Sequence, residues 1–531
     1  MKLKPIYIAI ILLSLNNTHG QLRAVKQWSA TYDGPGHGVD LPTSAVLDKR
    51  GNFYITGRSS GESSGQDIAT IRYSPTGQEI LTLRYNSLDN SWDEANSLAV
   101  DDSGNIFVAG TSVVTNSRTE IVLLKYTPSG TIAWHVHFSP DTINSATASK
   151  VVFDSFGNIY LGGTFKQQML VLKYNPVGAL MDSITIGDDS TAHSLTDLLV
   201  RNNGELYLVG SRSYWAGGDL PTVECAVVKV DIHGNQEWKN YLSAESARSV
   251  KLDEQGNLIV ITHGDGTTAK YSPDGQLLWY RNSQNSNPSI MLLTSLAIDS
   301  HNRIIVSGYG CAVDCFDYMV MKYDGDGNVL WYQSYNSPDT LRDFSIAMAL
   351  DKFANIYLTG KSAAGYSDGT CLTLKYDSSG NKIWETTFSI APTAIDQGEF
   401  IAVDDSGCVY VGGSSVGSSG LDFLAIKYRQ DFGSDVTEPS VAIPSNYALA
   451  HNYPNPFNPR TTIRYSIPIS QFVSLKVHDL LGNEVITLVQ SVQQAGSHLA
   501  EFNAGSLSSG VYFYRITTGN FTETKKLVVL K

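Results

Sequence analysis

Cysteine is scarce in this sequence, with 5 residues in 531. So few cysteines exclude a fold held together by a framework of disulfides. Cys311 and Cys315 are close in sequence, and we predict that a disulfide between them clips one loop. Metal ligation is the alternative, but no second pair of Cys or His stands at ligand spacing. Cys225, Cys371 and Cys408 fall in predicted strands, where we expect burial as small apolar side chains.

Charge is also sparse, and basic charge especially so. Charged residues make up 17% of the chain, against roughly 25% in an average soluble domain. The 38 Lys and Arg are outnumbered by 51 Asp and Glu, which gives a net charge of −13. Because nucleic acids and anionic membranes are bound by basic surfaces, we exclude both as partners. The 11 His are scattered, which gives no support to a clustered metal or catalytic motif.

Long apolar runs are missing too, and the one short run lies at the N-terminus. Lys2 and Lys4 precede an apolar segment over residues 6–15, and small residues stand just before and at Gly20. A membrane-spanning helix needs about 20 apolar residues, which excludes a membrane anchor here. We therefore predict that residues 1–20 are a secretory signal peptide, cleaved near Gly20.

A repeat of about 50 residues occupies most of the chain. Its most regular part is a D-x-x-G-N turn between two short β runs, in which Asp caps its own backbone and Gly adopts a positive φ. The aligned positions, 46 to 53 residues apart, are Asp48, Asp101, Asp154, Arg201, Asp253, Asp299, Asp351 and Asp404.

Two further β runs complete each repeat. The third usually ends in a basic residue and an aromatic one, as in Lys125-Tyr126, and the fourth usually contains tryptophan, as in Trp331. Four antiparallel strands per repeat are the unit of a β-propeller blade. The eighth copy lacks its fourth run, whereas an orphan run with the same pattern, Gln27 to Tyr32, precedes the first copy. We predict an all-β, eight-bladed propeller over residues 21–429, with its last blade closed by the N-terminal strand.

The combined pattern, A-V-D-x-x-G-N-x-Y-V-x-G followed by x-x-K-Y-x-x-x-G, resembles the secreted bacterial β-propeller repeats. The resemblance extends from residue 27 to about 428. It implies the fold and leaves the function open, because propellers serve binding, scaffolding and catalysis alike.

The composition changes after the propeller. Residues 430–445 contain the Gly, Ser and Pro typical of a linker, and residues 446–531 carry seven Lys and Arg against four Asp and Glu, leaving −16 for the rest of the chain. Alternating β runs at 461–467, 473–478, 511–517 and 525–530 predict a small β-sandwich.

The sequence motifs of this C-terminal module are specific. It contains N-Y-P-N-P-F-N-P from Asn452, D-L-L-G-N-E-V from Asp479, S-G-V-Y-F-Y-R from Ser509 and T-K-K-L-V-V-L-K from Thr524. These segments resemble the type A C-terminal sorting domain of the type IX secretion system. The motif positions are Asn455, Pro456, Phe457, Gly482, Gly510, Tyr512, Lys525 and Lys526.

The resemblance implies a Gram-negative exporter of the Bacteroidetes kind, with the type IX machinery and its sortase-like protease as partners. It further implies removal of the module and either release or attachment to surface lipopolysaccharide. The alternative is an ordinary adhesive β-sandwich. Lys525 and Lys526 are also compatible with a solvated edge-strand pair that opposes aggregation.

The longer, irregular connections of the predicted blades lie on one face, which marks that face for binding. An exposed tryptophan beside carboxylates suits a sugar ring and its hydroxyls, although each ring could instead pack over its own loop. The candidate binding residues are Trp92, Asp93, Glu94, Tyr214, Trp215 and Asp343. Residues 324–328 resemble half a calcium loop, but they align with a repeat turn, and we predict no metal and no cofactor.

We therefore expect a monomeric, non-catalytic propeller that binds a glycan, protein or matrix component. The alternative is a propeller enzyme that acts on polysaccharide or on a quinone-linked substrate. The strand containing Trp384 is similar to repeats of quinoprotein dehydrogenases, but the adjacent cysteines of those enzymes are missing. The segment from Ser272 to Trp279 is similar to a sialidase Asp-box with its glycine one position early.

Overall fold

A computed structural model describes residues 22–432 and 447–530, apart from short gaps at 88–89, 115–117, 140–142, 189, 218–219, 284–290, 312–315, 338–341, 364–368, 392–393, 418–419, 453, 494–495, 506 and 520. The predicted signal peptide and the Cys315 end of the predicted disulfide lie outside the described residues. The chain divides into two compact units between Ser434 and Asp435. Within the described residues, no helix is both long and apolar enough to cross a membrane.

Within the described part of the first unit, the strands form eight antiparallel groups of four, one for each sequence repeat. Six of these groups are separate sheets, and the groups of the sixth and seventh repeats are joined into one eight-stranded sheet by a single parallel pair, Phe316 with Arg342. We number these blades in chain order. Blades 1 to 4 contain β2 (Leu41–Leu47), β3 (Phe53–Ser60), β4 (Gln66–Tyr73) and β5 (Glu79–Tyr85); β6 (Asp93–Val100), β7 (Ile106–Val113), β8 (Thr119–Tyr126) and β9 (Ile132–Phe138); β10 (Ala146–Phe153), β11 (Ile159–Phe165), β12 (Gln168–Tyr174) and β13 (Leu180–Ile186); and β14 (Ala192–Val200), β15 (Leu206–Tyr214), β16 (Thr222–Val230) and β17 (Gln236–Leu242).

The other four blades follow the same order, except that the last takes its fourth strand from the N-terminus. They contain β18 (Ala247–Leu252), β19 (Leu258–Thr262), β20 (Thr267–Tyr271) and β21 (Leu277–Asn282); β22 (Met291–Ile298), β23 (Ile304–Cys311), β24 (Phe316–Tyr323) and β25 (Val329–Tyr335); β26 (Arg342–Leu350), β27 (Ile356–Ala363), β28 (Thr370–Tyr376) and β29 (Lys382–Phe388); and β30 (Asp396–Val403), β31 (Val409–Val416), β32 (Leu421–Phe432) and β1 (Leu22–Tyr32).

The first strands of the blades line up around a common centre. Each contacts the first strand of the next blade, and β2 of the first blade contacts β30 of the last. Strand β1 pairs with β32 over its length, with Trp28 opposite Lys427. The sheets therefore form a closed propeller, and the predicted closure by the N-terminal strand is confirmed. Closure leaves neither end of the array with an open sheet edge.

Neighbouring blades are joined by the repeated Lys-Tyr and Trp positions. The carbonyl oxygen of Gly325, in the outer turn of blade 6, accepts hydrogen bonds from Lys270 Nζ at 2.9 Å and Trp279 Nε1 at 3.1 Å, both in blade 5. A lysine and a tryptophan share the turn carbonyl in the same way at Ser378 (Lys322 and Trp331) and at Pro75 (Lys427 and Trp28). These repeated residues therefore hold neighbouring blades together. Their recurrence is explained by the fold and does not indicate a ligand site.

At the seam between blades 7 and 8, a side chain replaces this turn carbonyl. Blade 8 has no outer turn, because its fourth strand comes from the other end of the chain. Gln430 Oε1 instead accepts from Lys375 Nζ at 2.6 Å and from Trp384 Nε1 at 3.2 Å. The sequence predicts a linker from residue 430, whereas β32 continues to Phe432, with residues 429–432 paired with β1.

The second unit is a small sandwich of two sheets, as predicted. One sheet has the order β33-β34-β37 and the other β36-β35-β38-β39. Its strands are β33 (Ala448–Leu449), β34 (Arg460–Ile467), β35 (Gln471–His478), β36 (Glu484–Gln493), β37 (Gly496–Asn503), β38 (Gly510–Thr518) and β39 (Phe521–Val529). Alternate residues of β34, β35 and β38 point inward, and Ile463, Leu475 and Ile516 are fully buried between the sheets.

Candidate functional site

In several blades, the first strand begins at or next to a buried aspartate. The carboxylate of this aspartate accepts a hydrogen bond from the loop that leads in from the preceding blade. Asp93 Oδ2 accepts a hydrogen bond from the Ser87 N–H at 2.7 Å, and Asp343 Oδ2 accepts one from the Ser337 N–H at 2.6 Å. Asp93 and Asp343 were predicted on the binding surface, but both are fully buried. Their carboxylates face inward because the loop amides would otherwise lack acceptors. Burial raises the pKa of Asp93, although its hydrogen bonds oppose the shift.

Trp92 is the candidate that does lie at the surface. It precedes β6, its carbonyl accepts from the Val113 N–H at 2.7 Å, and its side chain is 42% exposed. The Arg58 guanidinium lies 5.1 Å from the centre of the Trp92 ring and 3.5 Å from Glu94 Oε1. The sequence analysis predicted Trp92 and Glu94 as candidates and did not name Arg58, which strand β3 brings beside them.

A shallow depression of about 760 Å³ opens beside this tryptophan. Its walls come from the loop that enters blade 1, the loop between β3 and β4, and the start of blade 2. The lining residues are Gly36, Val39, Arg58, Ser60, Gly61, Ser64, Gly65, Gln66 and Trp92. The polar groups of the lining come from its serines and from Gln66.

The other candidate tryptophan, Trp215, and its neighbour Tyr214 lie in or next to the strands of blade 4. Trp215 is 69% exposed, whereas Tyr214 lies against Arg212 at 4.8 Å and donates to Glu224 Oε1 at 3.3 Å. Tyr214 is therefore engaged within its own blade. The described contacts do not join this pair to Trp92, so the structure gives the two tryptophans separate surroundings.

Two sets of acidic residues are relevant to metal binding: the turn that begins at Asp324 and a cluster of three aspartates. Asp324 accepts from the backbone N–H groups of Asp326 and Asn328, at 3.0 and 2.8 Å, which is the turn role predicted for it. Asp33, Asp40 and Asp422 form a different group in the described part of the chain, with one carboxylate oxygen from each lying within 4.8 Å of the others.

In the C-terminal unit, the N-P-F segment lies along the last strand. Asn455 Nδ2 donates to the Lys526 carbonyl at 3.2 Å, and Asn455 Oδ1 accepts from the Val528 N–H at 2.8 Å. Phe457 is buried, and its backbone exchanges hydrogen bonds with Val528 and Leu530. The first and last motifs of the module are therefore one structural feature that covers the edge of β39.

The remaining motif positions are turns and surface groups. Gly482 has a φ of 86° in a tight turn, Gly510 opens β38, and Tyr512 donates to the Ser508 carbonyl at 3.0 Å. Lys526 is exposed, and Lys525 pairs with Glu523 at 3.0 Å.

Comparison with known proteins identifies the C-terminal unit. Residues 451–530 match the family described as the secretion system C-terminal sorting domain. No curated protein matches the chain.

Solved structures show only distant likeness. The Dos1 propeller is 8% identical, with a TM-score of 0.49 over 76% of this chain and 95% of its own. A protein of unknown function from Bacteroides caccae is 12% identical, with a TM-score of 0.33 over 51% of this chain and 90% of its own. A Lactobacillus plantarum protein is 12% identical, with a TM-score of 0.37 over 64% and 99%.

The strand pairing and the matched tail define the class of protein: a β-propeller that carries a type IX sorting domain. The sorting domain directs the chain out of the cell and to the outer-membrane or cell surface, and it engages the type IX machinery.

Proposed function

We propose that the propeller is a non-catalytic, monomeric binding module that recognises a neutral glycan at the depression beside Trp92. The observation that carries the proposal is the exposed indole of Trp92 at the edge of an open, partly polar depression. Sugar rings stack on such faces through their C–H groups, while their hydroxyls hydrogen-bond to nearby polar side chains.

The polar lining suits hydroxyl recognition. Gln66 Nε2 donates to Ser60 Oγ at 2.9 Å, and both residues line the depression beside Trp92. Gln66 Oε1 is enclosed by protein, and Ser60 Oγ donates to the Val39 carbonyl at 3.2 Å. The second Nε2–H of Gln66 is therefore left as a donor for a sugar hydroxyl, and the second lone pair of Ser60 Oγ as an acceptor. The hydrogen bond between Gln66 and Ser60 holds both side chains in place, so they can orient a bound sugar. The Trp92 indole provides the apolar surface on which the sugar ring stacks.

The charges favour an uncharged sugar. Arg58 is the basic residue of the lining, and Glu94 lies 3.5 Å from its guanidinium. Residues 1–445 carry a net charge of −16, so long-range attraction does not favour a polyanion. The support is therefore strongest for neutral polysaccharides.

A glycan array probed with the purified chain tests this proposal. We expect binding to one class of neutral glycan, and Trp92→Ala should weaken it at least tenfold, or about 1.4 kcal/mol. Trp215→Ala is the matched control, because it removes an exposed tryptophan from a different blade and should leave binding unchanged.

Two results would contradict the proposal. Failure of the wild-type chain to bind any neutral glycan, or equal binding by Trp92→Ala, would remove the glycan site. Turnover of chromogenic glycosides by the purified chain, lost in Trp92→Ala, would show that the depression is catalytic.

A further inference from the structure

Three carboxylates meet where the last blade closes on the first. Asp33 follows β1, Asp40 precedes β2 and Asp422 lies near the start of β32. One oxygen from each lies within 4.8 Å of the others, and both Asp40 and Asp422 are buried. Nearly four hundred residues separate Asp33 from Asp422 in the sequence, so ring closure alone brings this cluster together.

The hydrogen bonds of the two buried carboxylates differ. Asp40 accepts from the N–H groups of Gly34 at 2.6 Å and Ser60 at 2.9 Å, as a loop cap does. Asp422 is only 8% exposed, yet its enclosed Oδ1 accepts no hydrogen bond from the described residues. An enclosed carboxylate oxygen without a donor is costly, so this atom requires a further partner.

The seam between blades 1 and 2 shows how the equivalent carboxylate is neutralised: Asp67 Oδ1 likewise accepts no hydrogen bond from the described residues, but a basic side chain binds Asp67 Oδ2. Asp67 holds the same place in β4 as Asp422 holds in β32, one residue before the first position that pairs with the fourth strand. Arg84 contacts Asp67 Oδ2 at 2.7 Å and so supplies the positive charge at that seam.

The junction between blade 8 and blade 1, which we call the closing seam, lacks an equivalent of Arg84. Arg84 stands opposite Ala69 in blade 1, and the residue that stands opposite Leu424 in blade 8 is Thr31. A third acid, Asp33, is present instead, with His37 Nδ1 at 2.8 Å from it at the exposed side. Three acids thus stand where the seam between blades 1 and 2 has two acids, Asp67 and Asp93, and an arginine.

We propose that Asp33, Asp40 and Asp422 bind a divalent cation of the calcium class at the closing seam. Carboxylate oxygens are the ligands that Ca²⁺ prefers, and water completes its shell of six to eight. The cation supplies the charge that Arg84 supplies at the first seam, and it joins the N-terminal and C-terminal blades. Burial, with Asp33 and Asp40 nearby, raises the pKa of Asp422 to about 6. The inference does not depend on the glycan site.

Calcium titration of the purified chain, stripped with chelator, tests the site. We expect calorimetry to show one Ca²⁺ per chain with a dissociation constant on the order of 10⁻⁴ M, as in extracellular modules. The temperature of thermal unfolding should rise with Ca²⁺ concentration. Asp422→Asn and Asp33→Asn should each weaken binding at least tenfold.

Asp317→Asn is the matched control, since Asp317 holds the place of Asp422 in blade 6 and should leave calcium binding unchanged. Because Asp33 is exposed, Asp33→Asn decides the test even if the buried Asp422→Asn fails to fold. Absence of calcium binding, equal binding by Asp33→Asn, or an equal loss in Asp317→Asn would overturn the proposal. In that case the negative charge of the three aspartates would be neutralised by protons on the carboxylates and on His37, and not by a bound cation.

Discussion

At the scale of single residues, the turn glycines carry a constraint beyond backbone conformation. Gly275 has a φ of 88°, and a Cβ added there would lie 2.6 Å from Trp238 Cδ2 of the preceding blade. The same tryptophan-over-glycine contact occurs at Gly77, Gly178, Gly327 and Gly380. The sequence predicted these glycines from the turn alone; that a tryptophan covers them follows only from blade packing.

We expect Gly275→Ala to destabilise the propeller by roughly 2 to 4 kcal/mol, because a strained φ is combined with a steric clash. The matched control is Gly157→Ala, where φ is 78° and the nearest atom to an added Cβ is 3.7 Å away. It should cost only about 1 to 2 kcal/mol from backbone strain. Urea unfolding measures both, and equal effects would contradict the proposed role of the tryptophan contact.

At the scale of elements, strand β32 does more than its repeat pattern requires. It pairs with β31 on one side and with β1 on the other, and it continues past the Lys427-Tyr428 motif. That continuation places Gln430 where other blades have a turn carbonyl. Besides accepting from Lys375 and Trp384, it donates to the Tyr357 hydroxyl at 2.9 Å and to the Gly407 carbonyl at 2.5 Å.

Gln430→Ala is expected to destabilise the propeller by about 2 to 4 kcal/mol, because the buried Lys375 and Trp384 lose their shared acceptor. Burial already lowers the pKa of Lys375, so its ammonium depends on that acceptor. Gln78→Ala, an exposed glutamine in the outer turn of blade 1, should change little. Comparable urea midpoints for the two variants would exclude the acceptor role of Gln430.

The loops between blades show why site residues are harder to predict than strands. Trp92 and Asp93 are adjacent in sequence, yet one is exposed and the other is fully buried. Loop composition placed both at the surface. The direction of each side chain is decided by the capping hydrogen bond to Ser87, which the sequence pattern does not reveal.

At the scale of the whole molecule, the two units have separable tasks. The propeller carries the candidate binding face, and the sandwich of residues 451–530 carries the sorting signal. Each buries its own core, and the N-P-F segment protects the edge of β39 in the smaller unit.

Deletion of residues 446–531 should therefore leave a folded propeller that accumulates in the periplasm of a type IX-secreting host. Fractionation and immunoblotting of wild-type and truncated chains measure the distribution. The reciprocal control fuses residues 446–531 to a periplasmic reporter, which should then reach the cell surface or medium. Undiminished export of the truncated chain would contradict the assignment of the sorting signal.

Four features could be predicted without the structure: the propeller, the strand order within each blade, the closing role of Gln27 to Tyr32, and the sorting tail. These features are local or periodic, so spacing and turn chemistry reveal them. The exposure of the loop residues, the role of Gln430 and the meeting of Asp33 with Asp422 became apparent from the three-dimensional structure alone. Exposure depends on local capping bonds such as the one between Ser87 and Asp93, which the repeat pattern does not reveal. The contacts of Gln430 and of Asp33 join residues that are far apart in the chain, so no single repeat contains them.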